Sequence, residues 1–227
     1  KGYLACRKGG AASDVVWAQA LQAEAAVAST LCFGAILWDL KSFFDCVNHD
    51  LLRARCLRLG MEPALVKLGI ASFTAPRTVK SREAVAPPLY PTRGMMAGHT
   101  FAKAMLGAYF VESLDAWRIR HPRAHLDVYI DDITIRAVAA SDEELMAILI
   151  PAALDLQQLI RTELECDLAL QKAATVASSM RLARLIRGRL GPSAGKVAKT
   201  VANLGIDFAS GRKRGPGSLP IRRKRLA

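Results

Sequence analysis

Apolar and polar positions along the first third of the chain follow helical and strand periods in turn. Residues 13–29 carry apolar side chains at helical spacing, behind polar residues that can cap the start of a helix. Residues 32–40 form a short apolar run that ends in charge at Asp39, which predicts a buried strand. The next helical pattern, at residues 48–60, begins at Asn48, a good N-cap. The pattern therefore predicts a helix, a strand, a carboxylate and a second helix, in this order.

The middle of the chain combines two helical patterns with one strand pattern. Pro63 opens a short helix, and residues 98–117 repeat apolar positions at helical spacing. Between these helices, residues 78–89 predict a β-hairpin that is closed by Pro87 and Pro88. The hairpin pattern predicts local antiparallel pairing rather than a parallel crossover.

A second hairpin is predicted at residues 126–135. Apolar residues alternate up to Ile130 and again from Ile133, but the alternation slips by one residue between the two runs. A turn at Asp131 and Asp132 explains the slip, because the chain reverses there. The pattern therefore places two adjacent carboxylates at the tip of a hairpin.

The last third of the chain contains a long helical pattern and two shorter strand patterns. A capping box opens the pattern of residues 141–165, which predicts a long helix, kinked or restarted at Pro151. Residues 168–176 predict a further hairpin and residues 201–208 a further strand, and the glycines and prolines of residues 211–220 indicate a hinge. Helices mixed with antiparallel hairpins are typical of an α+β fold.

The composition is that of a folded chain, and it predicts no membrane span. The chain has 227 residues, 52% hydrophobic and 23% charged, enough for one large domain or two small ones. Its longest uncharged apolar stretch, residues 27–38, is shorter than the roughly 20 residues that cross a bilayer. The five cysteines include no Cys-x-x-Cys pair, which argues against a zinc site or a disulfide framework and favours a reducing compartment. Because the chain begins without Met or a signal pattern, we expect a piece of a longer polyprotein.

The positive charge is concentrated at one end of the chain. Residues 181–227 hold 13 of the 32 basic residues and a single acid, Asp207, which leaves 19 basic and 19 acidic residues in the first 180. The whole excess of +12 therefore lies in this segment. Such a block attracts a polyanion such as a nucleic acid, since binding releases counterions from the phosphate backbone. A solvated basic tail or a localisation signal gives the same pattern.

Three carboxylates are candidates for chemistry. Asp131 and Asp132 alone are also explained as ordinary turn residues, because Asp is common in tight turns. Asp39, however, also follows an apolar strand, and two strand ends can bring all three acids together. Carboxylates gathered within a few ångströms repel one another unless a cation joins them, and oxygen ligands select Mg²⁺ or Mn²⁺. Two such ions about 4 Å apart support in-line phosphoryl transfer.

Two segments around these acids resemble reverse transcriptases of the non-LTR retrotransposon and group II intron kind. Residues 36–45, ILWDLKSFFD, followed by VNHDLL at 47–52, resemble motif A of that family. Residues 129–132, YIDD, resemble motif C, the Tyr-x-Asp-Asp box. The order and separation of the two segments are similar to those in the family.

Further segments resemble other motifs of the same family in the expected order. CRKGGAASD at 6–14 resembles a stretch of the fingers, and RGMMAG at 93–98 resembles motif B. LQK at 170–172 resembles motif D, and NLGI at 203–206 resembles motif E. The resemblance covers residues 5–208. It implies an α+β polymerase palm with an antiparallel sheet packed on helices, plus part of the fingers.

The resemblance also implies a division of the chain into domains. Residues 1–38 would be partial fingers that lead into the palm, and residues 39–210 the palm itself. A fingers-like insertion would lie near residues 61–92. Residues 211–227 would be a basic hinge and the start of a truncated thumb.

The resemblance assigns roles to individual residues. Asp39 and Asp131 would bind two Mg²⁺ ions, or Mn²⁺, with Asp132 assisting, and Lys172 would donate a proton to pyrophosphate. The implied nucleotide-binding residues are Leu40, whose backbone carbonyl would be a further metal ligand, Phe44, as a steric gate against the ribose 2′-OH, Gly98, Ala97 and Arg7. The implied nucleic-acid contacts are Lys8, Arg93, Arg222, Arg223, Lys224 and Arg225. Phe44 is also explained as an ordinary core aromatic, and Arg7 and Lys8 as surface charges at a helix start.

Motif B departs from the family pattern, Arg-Gly-x-x-Gln-Gly-x-x-x-Ser-Pro. Ala97 replaces the Gln, Ala102 the Ser and Lys103 the Pro. Because the Gln normally touches the nucleotide, this change bears on fidelity and on activity itself. The metal ligands of the pattern are all present.

The resemblance implies an RNA-directed DNA polymerase that acts on an RNA template, a DNA or RNA primer and dNTPs. The expected location is intracellular, and nuclear if the chain comes from a eukaryotic retroelement. Three alternatives remain open: an RNA-dependent RNA polymerase, a catalytically degenerate nucleic-acid-binding module, and an unrelated α+β domain whose acids are turn residues. The Tyr-x-Asp-Asp form and Phe44 favour the DNA polymerase over the RNA polymerase.

Overall fold

A computed structural model describes residues 12–82, 84–204 and 206–209. The chain divides into two compact units: unit 1 comprises residues 1–41, 116–158 and 168–227, and unit 2 comprises residues 42–115 and 159–167. The helices are α1 (Ala12–Ala28), α2 (Phe43–Cys46), α3 (His49–Arg58), α4 (Pro63–Thr74), α5 (Ala102–Arg120), α6 (Asp142–Thr162) and α7 (Met180–Leu190), and a 3-10 helix covers Gly191–Ala194. The strands are β1 (Cys32–Asp39), β2 (His125–Tyr129), β3 (Asp132–Ala139), β4 (Ala174–Ala177), β5 (Lys196–Val197), β6 (Thr200–Asn203) and β7 (Ile206–Ala209).

Unit 1 is built around a five-stranded sheet with the order β2-β3-β1-β4-β5. β1 lies in the centre and pairs antiparallel with β3 and with β4, and only β4 and β5 pair in parallel. Its six interior residues are all buried, which explains the continuous apolar run in the sequence. The α+β prediction, with an antiparallel sheet packed on helices, is confirmed.

Alternate residues of β1 face two different layers. Phe33, Ala35 and Leu37 belong to a core cluster with residues of α1 and of the β6-β7 hairpin. The opposite face carries Gly34, where an added Cβ would lie 3.0 to 3.3 Å from side chains of α6 and α7. Trp38, on the same face as Gly34, donates from Nε1 to the carbonyl of Ser193 at 2.6 Å. The sheet therefore has α1 on one face and α6 with α7 on the other.

A buried polar network joins α1 to the sheet in unit 1. Gln19, which is fully buried, donates to Asp127 at 3.0 Å and accepts from Asn203 at 2.7 Å. Asp127 also forms an ion pair with Arg136 across the β2-β3 hairpin, and Arg136 contacts Gln22. Since these buried polar groups are satisfied by one another, the network fixes the position of α1.

Unit 2 is organised around the buried guanidinium of Arg55 in α3. Arg55 donates to the carbonyl of Tyr109, to Ser113 Oγ at 2.9 Å and to the carbonyl of Glu163 at 3.2 Å. The hydroxyl of Tyr109 donates to the carbonyl of Leu164 at 2.9 Å. The guanidinium of Arg55 thus satisfies backbone carbonyls in two other segments of unit 2, at Tyr109 and at Glu163.

The hairpin at residues 126–135 is confirmed, with its turn at Ile130 and Asp131 and with Asp132 as the first residue of β3. The helix after the capping box is also confirmed, and it is continuous through Pro151. Within unit 1 it buries Leu145 and Leu149. Among the described residues, α6 is the one helix that could cross a membrane by length and composition alone, and a buried core helix meets the same criterion.

Two predictions of local structure are wrong, and a third is confirmed in part. The hairpin near residues 78–89 is present, but it turns at Ser81 and Ala84, which exchange backbone hydrogen bonds, so the two prolines lie in its returning arm rather than in its turn. Residues 168–176 do not form a local hairpin, because β4 pairs with the distant strand β1. The single strand at 201–208 is a hairpin of β6 and β7.

The sequence patterns also missed α7. The charge pattern assigns residues 180–190 only to the basic segment, although Leu182, Ala183, Ile186 and Leu190 recur at helical spacing and are buried. Ser179 caps this helix by accepting a hydrogen bond from the backbone N–H of Leu182 at 3.1 Å. A capping serine before a periodic apolar pattern is the signal that could have identified it.

Candidate active site

The strand register of unit 1 brings the candidate carboxylates to one end of the sheet. Asp39, the last residue of β1, pairs directly with Asp132, the first residue of β3. Directly paired residues of antiparallel strands project to the same face, with Cα atoms about 5 Å apart. The N–H of Leu40 donates to the carbonyl of Asp131 at 2.9 Å, which extends the pairing into the turn. Acids that lie 92 and 93 positions apart in the chain therefore meet at one place.

The turn that carries Asp131 has an unusual backbone. Tyr129 pairs with Asp132, so Ile130 and Asp131 form a two-residue turn. Ile130 has φ +60°, in the left-handed region that favours glycine and that a β-branched residue rarely adopts. Such strain persists only where the surrounding pairing imposes it, and it is frequent at functional sites.

The two oxygens of Asp39 differ in their surroundings. Oδ2 accepts a hydrogen bond from the ammonium of Lys172 at 2.8 Å, whereas Oδ1 is buried and has no hydrogen-bond partner among the described residues. The Asp39 side chain is 17% exposed and that of Lys172 is 60% exposed. The backbone carbonyl of Asp39 accepts from the N–H of Ala169 at 2.8 Å, which holds the segment carrying Lys172 beside β1. Asp39 thus keeps one buried carboxylate oxygen available to a cation.

The electrostatics of the site oppose ionisation of the hairpin acids. Burial, followed by the charges of Asp131 and Asp39, raises the pKa of Asp132 from its ordinary 3.8 to about 6. Burial and the charge of Asp39 also raise the pKa of Asp131. The hydrogen bond to Asp39 and its negative charge raise the pKa of Lys172, so this ammonium stays charged at neutral pH. One lysine therefore faces three acids, which leaves an excess of negative charge above pH 6.

The donor set fits a hard divalent cation. All the candidate ligand atoms are oxygens, which Mg²⁺ and Mn²⁺ prefer, and an orphaned buried oxygen such as Asp39 Oδ1 is normally satisfied by a partner that binds there. In the described part of the chain, no three His, Cys, Asp or Glu side chains stand close enough to hold an ion without adjustment. Lys172 is the cation that Asp39 contacts in this arrangement.

Unit 2 joins the segments that resemble motifs A and B through their backbones. The N–H of Met95 donates to the carbonyl of Phe44 at 2.7 Å, and the N–H of Gly94 donates to the carbonyl of Val47 at 2.8 Å. Gly94 has φ +93°, and a Cβ at this position would lie 2.9 Å from the Phe44 carbonyl oxygen. His49 contacts the Gly94 carbonyl through Nε2 at 2.5 Å. Sequence reasoning gave Gly94 no role, although its place beside Arg93 in the motif was a signal.

The predicted nucleotide-binding residues of unit 2 lie in or near the segments that these backbone hydrogen bonds join. Phe44 is half-buried in α2, and its ring centroid lies 5.7 Å from that of Phe43. Ala97 and Gly98 are exposed in the turn before α5, and Gly98 has φ +82° with open space around it. Leu40, in unit 1, is buried at the end of β1. Their predicted contacts with a nucleotide stay predictions.

The predicted nucleic-acid contacts fall into two groups. Arg93 forms an ion pair with Glu165 inside unit 2, and Glu165 also accepts from Asn48 Nδ2 at 3.3 Å. A phosphate would therefore compete with Glu165 for the guanidinium of Arg93. The remaining predicted contacts lie outside the described residues, as does Arg7: Lys8, Arg222, Arg223, Lys224 and Arg225.

The fold is similar to that of telomerase, a reverse-transcriptase-related enzyme. Apo telomerase from Candida tropicalis, truncated from its C-terminal domain, matches with a TM-score of 0.57 and 10% identity over 87% of this chain and 38% of that chain. Telomerase from Candida tropicalis in complex with a TWJ fragment of telomeric RNA matches with a TM-score of 0.52 and 12% identity, over 74% of this chain and 29% of that chain. Apo telomerase from the same organism matches with a TM-score of 0.53 and 11% identity, over 87% of this chain and 34% of that chain. No protein-family model and no curated protein matches the sequence.

These likenesses concern the fold, and the chain spans between 29% and 38% of the telomerase chains that it matches. The five-stranded sheet packed on helices is a palm-like α+β fold, similar to that of these telomerase structures. The three candidate carboxylates lie at one end of that sheet.

Proposed function

We propose that the chain is the core of an RNA-directed DNA polymerase that adds deoxynucleotides to a primer 3′-OH. The observation that carries the proposal is the pairing of Asp39 with Asp132 across β1 and β3, next to Asp131 in the turn. The acids in this pairing are the ones that resemble motifs A and C in the sequence. Together with a reverse-transcriptase-like fold, this agreement supports the proposal. We also propose that this polymerase is a reverse transcriptase of the non-LTR retrotransposon or group II intron kind.

Asp39, Asp131 and Asp132 are the residues that would hold the metal ions. Two Mg²⁺ or Mn²⁺ ions supply activation of the attacking hydroxyl and stabilisation of the leaving oxygen in phosphoryl transfer. Asp39 offers its buried Oδ1. Burial and the neighbouring acids raise the pKa of Asp132, and a cation beside these acids would offset their charge, which supports this part of the proposal. Lys172 holds a proton at Nζ, which it can donate to an anionic leaving group.

The proposal extends to substrates, partners and location. The substrates are dNTPs, an RNA template and a DNA or RNA primer, and the chain works as part of a longer polyprotein. The expected location is intracellular, and nuclear in a eukaryotic retroelement. The basic residues of the C-terminal segment support a nucleic-acid partner, because their charge complements phosphate.

Primer extension on poly(rA)/oligo(dT) with Mg²⁺ or Mn²⁺ tests the polymerase proposal. The chain should extend the primer with dTTP, and Asp131→Asn should lower the rate by at least about a thousandfold, because removing a metal ligand removes the ion's stabilisation of the transition state. Asp45→Asn, which changes an exposed acid of α2, serves as the matched control and should retain activity.

Two results would contradict this function. Absence of extension with either ion, together with salt-sensitive RNA binding, identifies a nucleic-acid-binding module whose altered motif B has abolished catalysis. Preferential incorporation of UTP over dTTP identifies an RNA polymerase.

The steric gate is tested by Phe44→Ala. Removal of the bulky ring should admit the ribose 2′-OH, so the dTTP over UTP preference should fall by at least about tenfold while dTTP incorporation persists. Single-nucleotide incorporation with each substrate measures the preference. Phe43→Leu is the control for loss of packing, because Phe43 is buried and stacks on Phe110 at 5.1 Å. An unchanged preference in Phe44→Ala would assign the ring to the core instead.

A further inference from the structure

The segment that follows the candidate active site is basic throughout. Residues 168–200 contain seven Lys and Arg residues and no acid. α7, at Met180–Leu190, forms the centre of this segment. Its four arginines are Arg181, Arg184, Arg187 and Arg189.

The arginines of α7 all lie on its exposed side. The buried side of the helix packs on the sheet, where Ile186 lies next to Gly34. In the described part of the chain, no carboxylate forms an ion pair with any of the four arginines. Other surface arginines do form such pairs, with Glu112, Asp155 and Glu144 as partners. Within the described part of the chain, the positive charge on the exposed side of α7 is therefore not neutralised by an ion pair.

The four exposed arginines are distributed along the length of the helix. We call this exposed side of α7, with its four arginines, the α7 basic face. Because Arg181 and Arg187 are six residues apart, they span about 9 Å of helix, a length that corresponds to about three phosphates of one duplex strand.

The α7 basic face is separate from the candidate active site. α7 covers the face of the sheet that carries Gly34. Alternation along β1 places Asp39 on the other face, with Leu37. A polyanion bound to the α7 basic face therefore binds in addition to whatever the carboxylates hold.

We propose that the α7 basic face binds the sugar-phosphate backbone of a nucleic acid at a second site, behind the catalytic face of the sheet. Arginine suits this partner, because its planar guanidinium donates two parallel hydrogen bonds to a phosphate and stays charged. The absence of base-reading or aromatic side chains on this side of α7 predicts binding without sequence preference. The choice of nucleic acid among polyanions rests on the proposed polymerase function.

Fluorescence anisotropy with a labelled 20-base-pair RNA–DNA hybrid, at 50 to 300 mM NaCl, measures this binding. The triple variant Arg181→Gln, Arg184→Gln, Arg187→Gln keeps helix-forming side chains of similar length. Its dissociation constant should rise at least about tenfold at 100 mM NaCl, and the slope of log K against log[salt] should shrink by about 2 to 3, since each phosphate contact contributes about 0.9. Circular dichroism and thermal unfolding check that the variant is folded.

The matched control removes the same charge elsewhere. In Arg58→Gln, Arg120→Gln, Arg123→Gln, the three arginines lost are each paired with a carboxylate, so the slope should stay within about one unit of that of the unmodified chain. Equal slopes in the unmodified chain and the α7 variant would overturn the proposal. Loss of binding to phosphatidylserine vesicles with unchanged hybrid binding would also overturn it and would assign the face to a membrane.

The test of hybrid binding at the α7 basic face does not depend on catalytic activity. Asp131→Asn, which should stop primer extension, should retain the affinity and salt slope of the unmodified chain for the hybrid. If extension fails in every variant but the α7 variant alone loses hybrid affinity, the second site stands and the polymerase proposal falls.

Discussion

Asp132 is a carboxylate whose surroundings disfavour its charged form. Its side chain is largely withdrawn from water and lies opposite Asp39, with Asp131 as its sequence neighbour. Among the described residues, the charge of Lys172 opposes this accumulation of negative charge, and its ammonium contacts Asp39. Such an arrangement is unfavourable in the isolated chain, and a cation beside the acids would relieve it.

Asp132→Asn should therefore stabilise the metal-free protein at neutral pH. Because the folded-state pKa is raised, from 3.8 to about 6, the stability that the protonated carboxyl contributes is complete below pH 4 and is lost as the pH rises through 6. Asn does not ionise and keeps this contribution. Relative to its difference at pH 4, the variant should gain about 1–2 kcal/mol at pH 7.5, a value reduced for partial exposure. Urea unfolding in EDTA at both pH values measures the gain, and a pH-independent difference would contradict it.

The connection between α7 and β5 is the element whose geometry is most restrictive. Gly191, the first residue of the 3-10 helix, and Gly195, directly after that helix, have nearly identical backbones, φ 62° and ψ −139° in Gly191 and φ 63° and ψ −148° in Gly195. They differ in their neighbours. A Cβ at Gly195 would lie 2.0 Å from the Ala173 carbonyl oxygen, whereas a Cβ at Gly191 would meet nothing within 4 Å. The close approach at Gly195 lets Lys196 donate to Ala173 and start the parallel pairing of β5.

Gly195→Ala should cost about 3 kcal/mol or more, because the new methyl group clashes with backbone that cannot move without breaking β4 from β5. Gly191→Ala is the matched control, since it introduces the same unfavourable φ and ψ without the clash, and it should cost about 1–2 kcal/mol. Chemical denaturation of both variants gives the comparison. If the two variants lost equal amounts of unfolding free energy, the backbone conformation alone would explain why position 195 needs glycine.

At the scale of the whole molecule, the candidate site is a property of the folded state. Asp39 and Asp131 are 92 positions apart in the sequence and are joined only by the pairing of β1 with β3. An unfolded chain cannot hold both acids on one ion at comparable cost, because a long loop would have to close first. Binding of a divalent ion at these acids, as proposed above, would therefore be coupled to folding.

Mn²⁺ should raise the thermal stability of the chain. At a concentration ten times its dissociation constant, an ion that binds only the folded state stabilises by about 1.4 kcal/mol, which corresponds to a rise in Tm of about 3–5 °C. Differential scanning fluorimetry with and without MnCl₂, at constant ionic strength, measures the shift. Asp39→Asn should abolish it. An equal shift in that variant would place the ion elsewhere.

Several elements of the fold were predictable because their signals are local. The capping box before α6, the Asn48 cap of α3 and the slip in alternation at the β2-β3 hairpin each depend on a few neighbouring residues, and each is present in the structure. The partner of β4 was not predictable, since a four-residue apolar strand pairs equally well with a local or a distant strand. The pairing of residues 93–95 with the backbone of motif A is likewise a long-range contact without a periodic signal.

By itself, the sequence determined the α+β class, the order of most helices and strands, and the three acids with the motifs around them, because these depend on periodicity, caps and the types of residue present. Only the tertiary structure decided that Asp39 lies opposite Asp132, that Lys172 contacts Asp39, and that four arginines of the basic segment form the exposed side of a helix on the other face of the sheet. The physical reason is that register and layer order are chosen by the packing of distant segments, which compete for the same buried surface.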